Sequence, residues 1–478
     1  MVERERLLIK GGLLALPGGD WQQRDLLIDD GIIVGLDADI RADDARLVDA
    51  GRRLVAPGLI NAHTHSPSNL TKGTGDRLSH PAFMWLNQAD TAQRTPREIY
   101  LSAMLGCIEM LLTGTTACID HFPEQNFGLE DVAPVVEAYR DAGLRVAIAL
   151  RLFDGDYADI YPPADQIPPA LRDQLARVDP LKPRPVDELI ELCDAALARW
   201  RRYDPRIALF PAISNPCRCT DALLERAGAL AERYDTGLHT HLLETKVQGE
   251  IAQRLYGTTQ VRHLDALGLL SKRLSCAHTI WIDEPDIALL AERGAVVVHN
   301  PDSNLKIGAG IAPIPSMLAH GVTVALGTDG ASTSYSLALQ NAMKVATIVH
   351  RAALTERARW VTVADVFDMA TLGGAKAMQL DGRIGVLQVG AAADLVLYDL
   401  DRPAWTPLKQ PLEQFVFCDT AATVRMVIID GRVLVENGRI TAFDADGILA
   451  EARACLPRIR DRNRALYDVA AQMAEIVP

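Results

Sequence analysis

Both ends of the chain consist of short apolar runs broken by glycine and aspartate. Leu7-Leu-Ile-Lys, Asp25-Leu-Leu-Ile-Asp and Gly31-Ile-Ile-Val-Gly read as a small β-meander, with Asp29-Asp30-Gly31 as a hairpin turn. The same texture returns in Ala393-Asp-Leu-Val-Leu-Tyr and in Val424-Arg-Met-Val-Ile-Ile. There Asp430-Gly431 separates two apolar runs, a strong short-range hairpin signal. Strand-rich ends around a different middle predict a small β-sandwich domain built from both termini, residues 1–57 plus 381–443.

The middle, 58–380, alternates strand-like and helix-like stretches. Arg145-Val-Ala-Ile-Ala-Leu, Arg206-Ile-Ala-Leu-Phe, Ala295-Val-Val-Val-His and Val322-Thr-Val-Ala-Leu-Gly are the strands, with helical patterns such as Val186 to Trp200 between them. Such alternation implies a parallel sheet, and its length fits a (β/α)₈ TIM barrel, an α/β fold whose sites lie at the C-terminal strand ends. A doubly wound sheet is the rival, but no glycine-rich phosphate loop of the G-x-G-x-x-G or P-loop spacing is present. The Pro- and Asp-rich piece 154–184 is too long for an ordinary connection and suggests a lid. Residues 444–478 read as a C-terminal helix that packs on the barrel or on another subunit.

Composition narrows the function classes. An apolar share of 49% over 478 residues excludes wholesale disorder, and a net charge of −13 argues against a nucleic-acid partner. The eight cysteines are irregularly spaced, and Cys217-Arg218-Cys219 is too tight for a zinc knuckle, so reduced thiols are expected. The mixed-charge start Met1-Val-Glu-Arg-Glu-Arg is unlike a secretory signal. No apolar run approaches the roughly 18 residues of a membrane span. A cytoplasmic protein with no membrane partner is expected.

The candidate chemistry sits at predicted strand ends. His63-Thr-His65 and His239-Thr-His241 each place two imidazoles on one side of a strand, because positions i and i+2 face the same way. Glu244 follows three residues after His241, His278 ends another short strand, and Asp329 lies in Gly327-Thr-Asp-Gly330. Three neutral imidazoles and a carboxylate suit one divalent ion, Zn²⁺ with Fe²⁺ as the alternative, and leave a position open for water. Such an ion brings the pKa of its water to roughly 7. A nearby glutamate outside the ligand set moves protons, as in zinc deaminases.

These pieces resemble the amidohydrolase superfamily: Pro57-Gly-Leu-Ile-Asn-Ala-His-Thr-His65, the His-x-His-x-x-Glu stretch, the Gly-Thr-Asp-Gly turn, His299-Asn-Pro-Asp-Ser-Asn304 and Leu387-Gln-Val-Gly-Ala-Ala-Ala-Asp394. The likeness runs to about residue 440 and is nearest the deaminase and triazine-hydrolase branch. It implies His63, His65, His241 and Asp329 as metal ligands, with Asp329 also a proton acceptor. Glu244 is implied as the proton shuttle, and His278 as the residue that hydrogen-bonds the water or substrate, with contact to the metal left open. It ranks His241 above His239 as ligand, leaving His239 a supporting role. Binuclear relatives use a lysine at the end of strand four; no lysine occurs between Lys182 and Lys246, so one ion is expected.

The implied reaction is hydrolytic deamination of an amino-substituted nitrogen heterocycle of purine, pyrimidine, pterin or triazine type, releasing ammonia. The alternative is displacement of chloride or alkylamine from a triazine, or opening of a cyclic amide. Trp85, Gln88, Arg151 and Asn304 are the candidate substrate contacts. Adenosine-type members carry a histidine where this chain has Ser214, which leaves a free base, pterin or triazine more open than a nucleoside. A homo-oligomer is expected from the family alone.

Overall fold

The computed structural model describes residues 4–123, 125, 127–156, 167–178 and 182–476. Eight parallel strands form one sheet in sequence order: Leu59–Thr64, Thr115–Phe122, Arg145–Leu152, Ile207–Ile213, Leu238–Leu242, Leu274–His278, Val296–His299 and Thr323–Leu326. All are buried nearly throughout, as expected for strands with helices on one face and a packed barrel interior on the other. Small inner residues such as Ala117, Ala147, Ala149 and Ala212 leave room for Phe210 in that interior. The eighth strand returns beside the first. Asn61 and Thr328 exchange two hydrogen bonds (2.8 and 3.0 Å), and the Asp329 amide donates to the His63 carbonyl at 2.9 Å.

A second, nine-stranded mixed sheet is made from both ends of the chain. Its seam is Arg53–Pro57, parallel to Leu7–Leu16 on one side and antiparallel to Leu395–Asp399 on the other. Both expected hairpins are present. Asp29 pairs with Ile32, and Ile429 with Arg432, leaving two-residue loops whose residues all have positive φ: Asp30 43°, Gly31 79°, Asp430 54° and Gly431 72°. That is the type I′ geometry that matches strand twist. The sheet is tied to the barrel by a buried ion pair, Arg145 Nε to Asp394 Oδ2 at 2.8 Å.

The C-terminal stretch forms three helices, Ala445–Arg453, Cys455–Arg462 and Arg464–Ile476. The last packs on the helix His80–Thr91, and the first on Pro96–Leu112. Of the expected lid, residues 157–166 and 179–181 lie outside the described residues. The helix Pro169–Val178 within it packs against Arg464–Ile476. All eight cysteines are free thiols, seven of them buried. No helix among the described residues is long and apolar enough to cross a membrane.

Candidate metal centre and active site

Four donor atoms meet at the C-terminal mouth of the barrel. His65 Nε2 lies 3.2 Å from His63 Nε2, 3.3 Å from His241 Nε2 and 3.2 Å from Asp329 Oδ1, and His63 Nε2 is 3.5 Å from the same oxygen. His241 Nδ1 faces the Ser214 carbonyl at 2.8 Å and must donate to it, so its Nε2 presents a bare lone pair. Lone pairs crowd this closely only around a proton or a cation. Tetrahedral ligands ~2.0–2.1 Å from a Zn²⁺ would be spaced by roughly 3.3 Å, which these distances match. The donor set therefore fits one borderline divalent ion.

The backbone is built to bring these groups in. Asp329 sits at φ 61°, uncommon for a non-glycine residue, and a Cβ on Gly327 would lie 2.3 Å from Asn300 Oδ1 and 2.9 Å from His63 Cβ. Asp329 Oδ2 accepts from Ser303 Oγ at 2.5 Å and from Thr333 Oγ1 at 3.3 Å, which turns Oδ1 toward the imidazoles. Behind His63, Nδ1 lies 2.8 Å from His239 Nε2, and His239 Nδ1 lies 2.6 Å from Ser275 Oγ. Burial lowers His63 to a pKa of about 4 and pushes His239 and His241 well below their ordinary value, so all three are neutral at pH 7. Burial opposes ionisation of Asp329, but contact with His63 and His65 outweighs it and holds the carboxyl well below the usual range.

Glu244 stands beside this cluster, outside the four donors. Its Oε2 lies 3.2 Å from His80 Nε2 and its Oε1 3.8 Å from His278 Nε2. Burial alone would raise its pKa; the charges of His80 and then His278 bring it to about 2. His278, at φ 71°, bonds Asn304 Oδ1 through Nδ1 at 2.8 Å, and its buried Nε2 has no hydrogen-bond partner among the described residues. That ring edge is left for something in the cavity.

The cavity is lined by His65, His241, Glu244, His278 and Asp329, by apolar Phe83, Met84 and Ile307, and by Arg151, Ser214 and Arg218 among others. Arg151 Nε donates to Ser214 Oγ at 2.9 Å. Three sequence candidates fall elsewhere. Trp85 packs in the main core, Gln88 accepts from Gln125 at 3.2 Å, and Asn304 braces His278; none lines the cavity. The segment that carries Trp85 and Gln88 is helical from His80, and it turns His80, Phe83, Met84 and Asn87 inward. These are positions i, i+3, i+4 and i+7, one stripe of a helix. His80 was missed by reading for strand ends, and the i+3/i+4 spacing was the signal that could have found it. His121 was missed too. It is the penultimate residue of the second barrel strand, its ring centroid 4.5 Å from that of His241, fully buried, with burial pushing its pKa well below the ordinary value.

Comparisons with known proteins identify the family. The profile of the amidohydrolase family matches residues 54–434. A 5-methylthioadenosine/S-adenosylhomocysteine deaminase of Syntrophobacter fumaroxidans is 34% identical over 421 residues, covering 87% of this chain and 88% of that one. The crystal structure of an adenosine deaminase from Xanthomonas campestris with bound zinc is 29% identical, with a TM-score of 0.83 over 97% of this chain and 100% of that one. An atrazine chlorohydrolase from Arthrobacter aurescens complexed with zinc is 25% identical, with a TM-score of 0.85 over 94% and 100%. With the profile spanning the whole barrel and the strands that flank it, this chain belongs to the amidohydrolase family.

Proposed function

We propose that the chain is a zinc-dependent aminohydrolase that removes the amino group of an adenine-type ring as ammonia. The observation that carries this reading is the buried Glu244 carboxylate, placed in the cavity wall beside the four-donor cluster and outside it. In the proposed arrangement His63, His65, His241 and Asp329 hold one ion. Bound there, the ion would bring a water's pKa to roughly 7, making a nucleophile available at neutral pH.

The remaining work belongs to side chains. Glu244, ionised at rest, takes one proton from the incoming water and passes it to the ring nitrogen next to the reacting carbon, which makes that carbon more electrophilic. His278, its Nδ1–H held by Asn304 Oδ1, turns Nε2 toward the incoming oxygen. Asp329 accepts the water's other proton and hands it to the departing amine. Phe83, Met84 and Ile307 supply an apolar wall for a flat ring, and Arg151 meets a polar substituent. The adenine class rests on the similarity to adenosine-type deaminases. Ser214, which lines the cavity and binds Arg151, keeps free bases and triazines in the test. The reading places the enzyme in the cytoplasm as a homo-oligomer acting on a small metabolite.

The test joins metal analysis to ammonia release from a panel of adenosine, 5-methylthioadenosine, S-adenosylhomocysteine, guanine, cytosine, pterins, aminotriazines and atrazine. One zinc per chain and ammonia from an adenine-bearing member are expected. Chloride release from atrazine with no ammonia from any member would overturn the reading. Glu244→Gln should lower turnover by roughly 10²–10⁴-fold, the range for a lost general acid/base.

A further inference from the structure

Among the described residues, the barrel strands bring only His278 Nε2 near the Glu244 carboxylate, at 3.8 Å, beyond hydrogen-bond reach. The Glu244 amide is fixed by donation to Gln248 Oε1 at 2.7 Å, but that bond leaves the direction of the carboxylate open. The fifth barrel strand has ended by then, and Leu243 already has φ 48°. On the cavity side the carboxylate meets His80, at the first position of the helix His80–Thr91 and the start of its inward stripe. His80 and Glu244 are each 8% exposed. A buried carboxylate without a donor is costly, and a proton-carrying group displaced by about 1 Å can lose ~10²-fold in rate.

We infer that His80 is a positioning residue that holds the Glu244 carboxylate in line with the ring nitrogen it protonates. The inference rests on the deaminase reading and deepens it. His80 keeps its own proton throughout, donating a hydrogen bond from Nε2 to Oε2. The oxygen nearer His278 is left to carry the transferred proton. The electrostatics agree with the geometry. Burial disfavours charge on His80, but Glu244 outweighs that penalty and raises the imidazole above its ordinary value. His80 comes from outside the barrel wall and is not one of the four clustered donors, so it serves Glu244 and not the ion.

The test uses the zinc-loaded enzyme with its best substrate from the panel above, comparing His80→Phe, His80→Asn and His80→Gln with Glu244→Gln and the double variant H80F/E244Q. In the Phe and Asn variants, neither able to reach the carboxylate, kcat is expected to fall roughly 10–100-fold, with KM within about threefold and zinc content unchanged. Gln, whose amide can still donate, should restore most of that loss, and H80F/E244Q should be no slower than E244Q. A rise in KM with kcat intact would make His80 a wall residue and overturn the inference. So would a double variant slowed by the product of the two single effects, or a crystal structure of His80→Phe in which the Glu244 carboxylate keeps its direction. Should E244Q itself run at full speed, the deaminase reading falls and this inference with it. A slow E244Q beside an unaffected His80→Phe sinks the inference alone.

Discussion

His239 stands behind His63, its Nε2 2.8 Å from His63 Nδ1 and its own Nδ1 2.6 Å from Ser275 Oγ. A chain of bonds that runs one way, from His63 Nδ1–H through His239 to the hydroxyl, fixes His63 in the tautomer whose Nε2 is bare. Groups that orient a ligating imidazole in this way typically cost 10–100-fold in metal affinity when removed. His239→Ala is therefore expected to weaken zinc binding by that factor, with residual activity restored by excess zinc. Competition against a chelator of known affinity measures it. Unchanged affinity would separate His239 from the metal centre.

The Arg145–Asp394 pair makes a different prediction, confined to stability. The two are buried, bidentate at 2.8 and 3.1 Å, and Asp394 Oδ1 also accepts the Asp430 amide at 2.8 Å. Removing one partner of a buried pair leaves an uncompensated charge, at a cost of about 3–5 kcal/mol. Asp394→Ala should lose about that much in denaturant unfolding. The kcat of the folded fraction should stay as it was, since the pair lies at the junction of barrel and sheet, away from the cavity.

How much of the site the sequence disclosed depends on which periodicity carried it. The alternation of a strand put His63 with His65, and His239 with His241, on common faces. Depth along the strand, which sets His241 at the cavity and His239 behind His63, is a tertiary fact that spacing does not contain. Trp85 and Gln88 lie off the cavity because their segment is helical from His80. Each step along the helix turns the side chain by about 100°, so residues one or two positions from the lining point elsewhere. His121 is a lone strand-end histidine like His278, but it lies in none of the stretches that carry the family resemblance. The composite sheet, by contrast, was legible from two Asp-Gly steps, because turn chemistry is local.

Acid should loosen the fold through its buried histidines. Burial, and then the charge of His350, lowers His299 to about 3; burial lowers His350 to about 4. Unfolded, both take up a proton near pH 6.5. The unfolded state thus binds more protons across this window, so stability is complete above pH 6.5 and is lost as pH falls toward 4 and then 3. The slope is up to about 1.4 kcal/mol per pH unit for each histidine. Thermal melting of the metal-free protein, which avoids the added effect of zinc release, should show Tm falling from pH 7 to pH 4.5. A flat or rising Tm would contradict the buried neutral state of these rings.

The helix that carries the cavity stripe is itself held from the C-terminus. Asn463 Nδ2 donates to the carbonyls of Ala89 and Ala92 at 2.8 and 2.9 Å, and Tyr467 Oη bonds Asp90 Oδ1 at 2.5 Å. These contacts grip the last turn of the helix His80–Thr91, on the face turned away from His80, Phe83, Met84 and Asn87. Asn463→Ala leaves two buried carbonyls without a donor, worth about 1–3 kcal/mol, and frees that end of the helix to move. Because the stripe it carries forms one wall of the cavity, the looser helix should raise KM several-fold while zinc content stays at one per chain. Steady-state kinetics on the best panel substrate, beside a melting curve, separates the two effects. A lowered Tm with unchanged KM would show that the C-terminal helices stabilise the barrel without shaping its cavity.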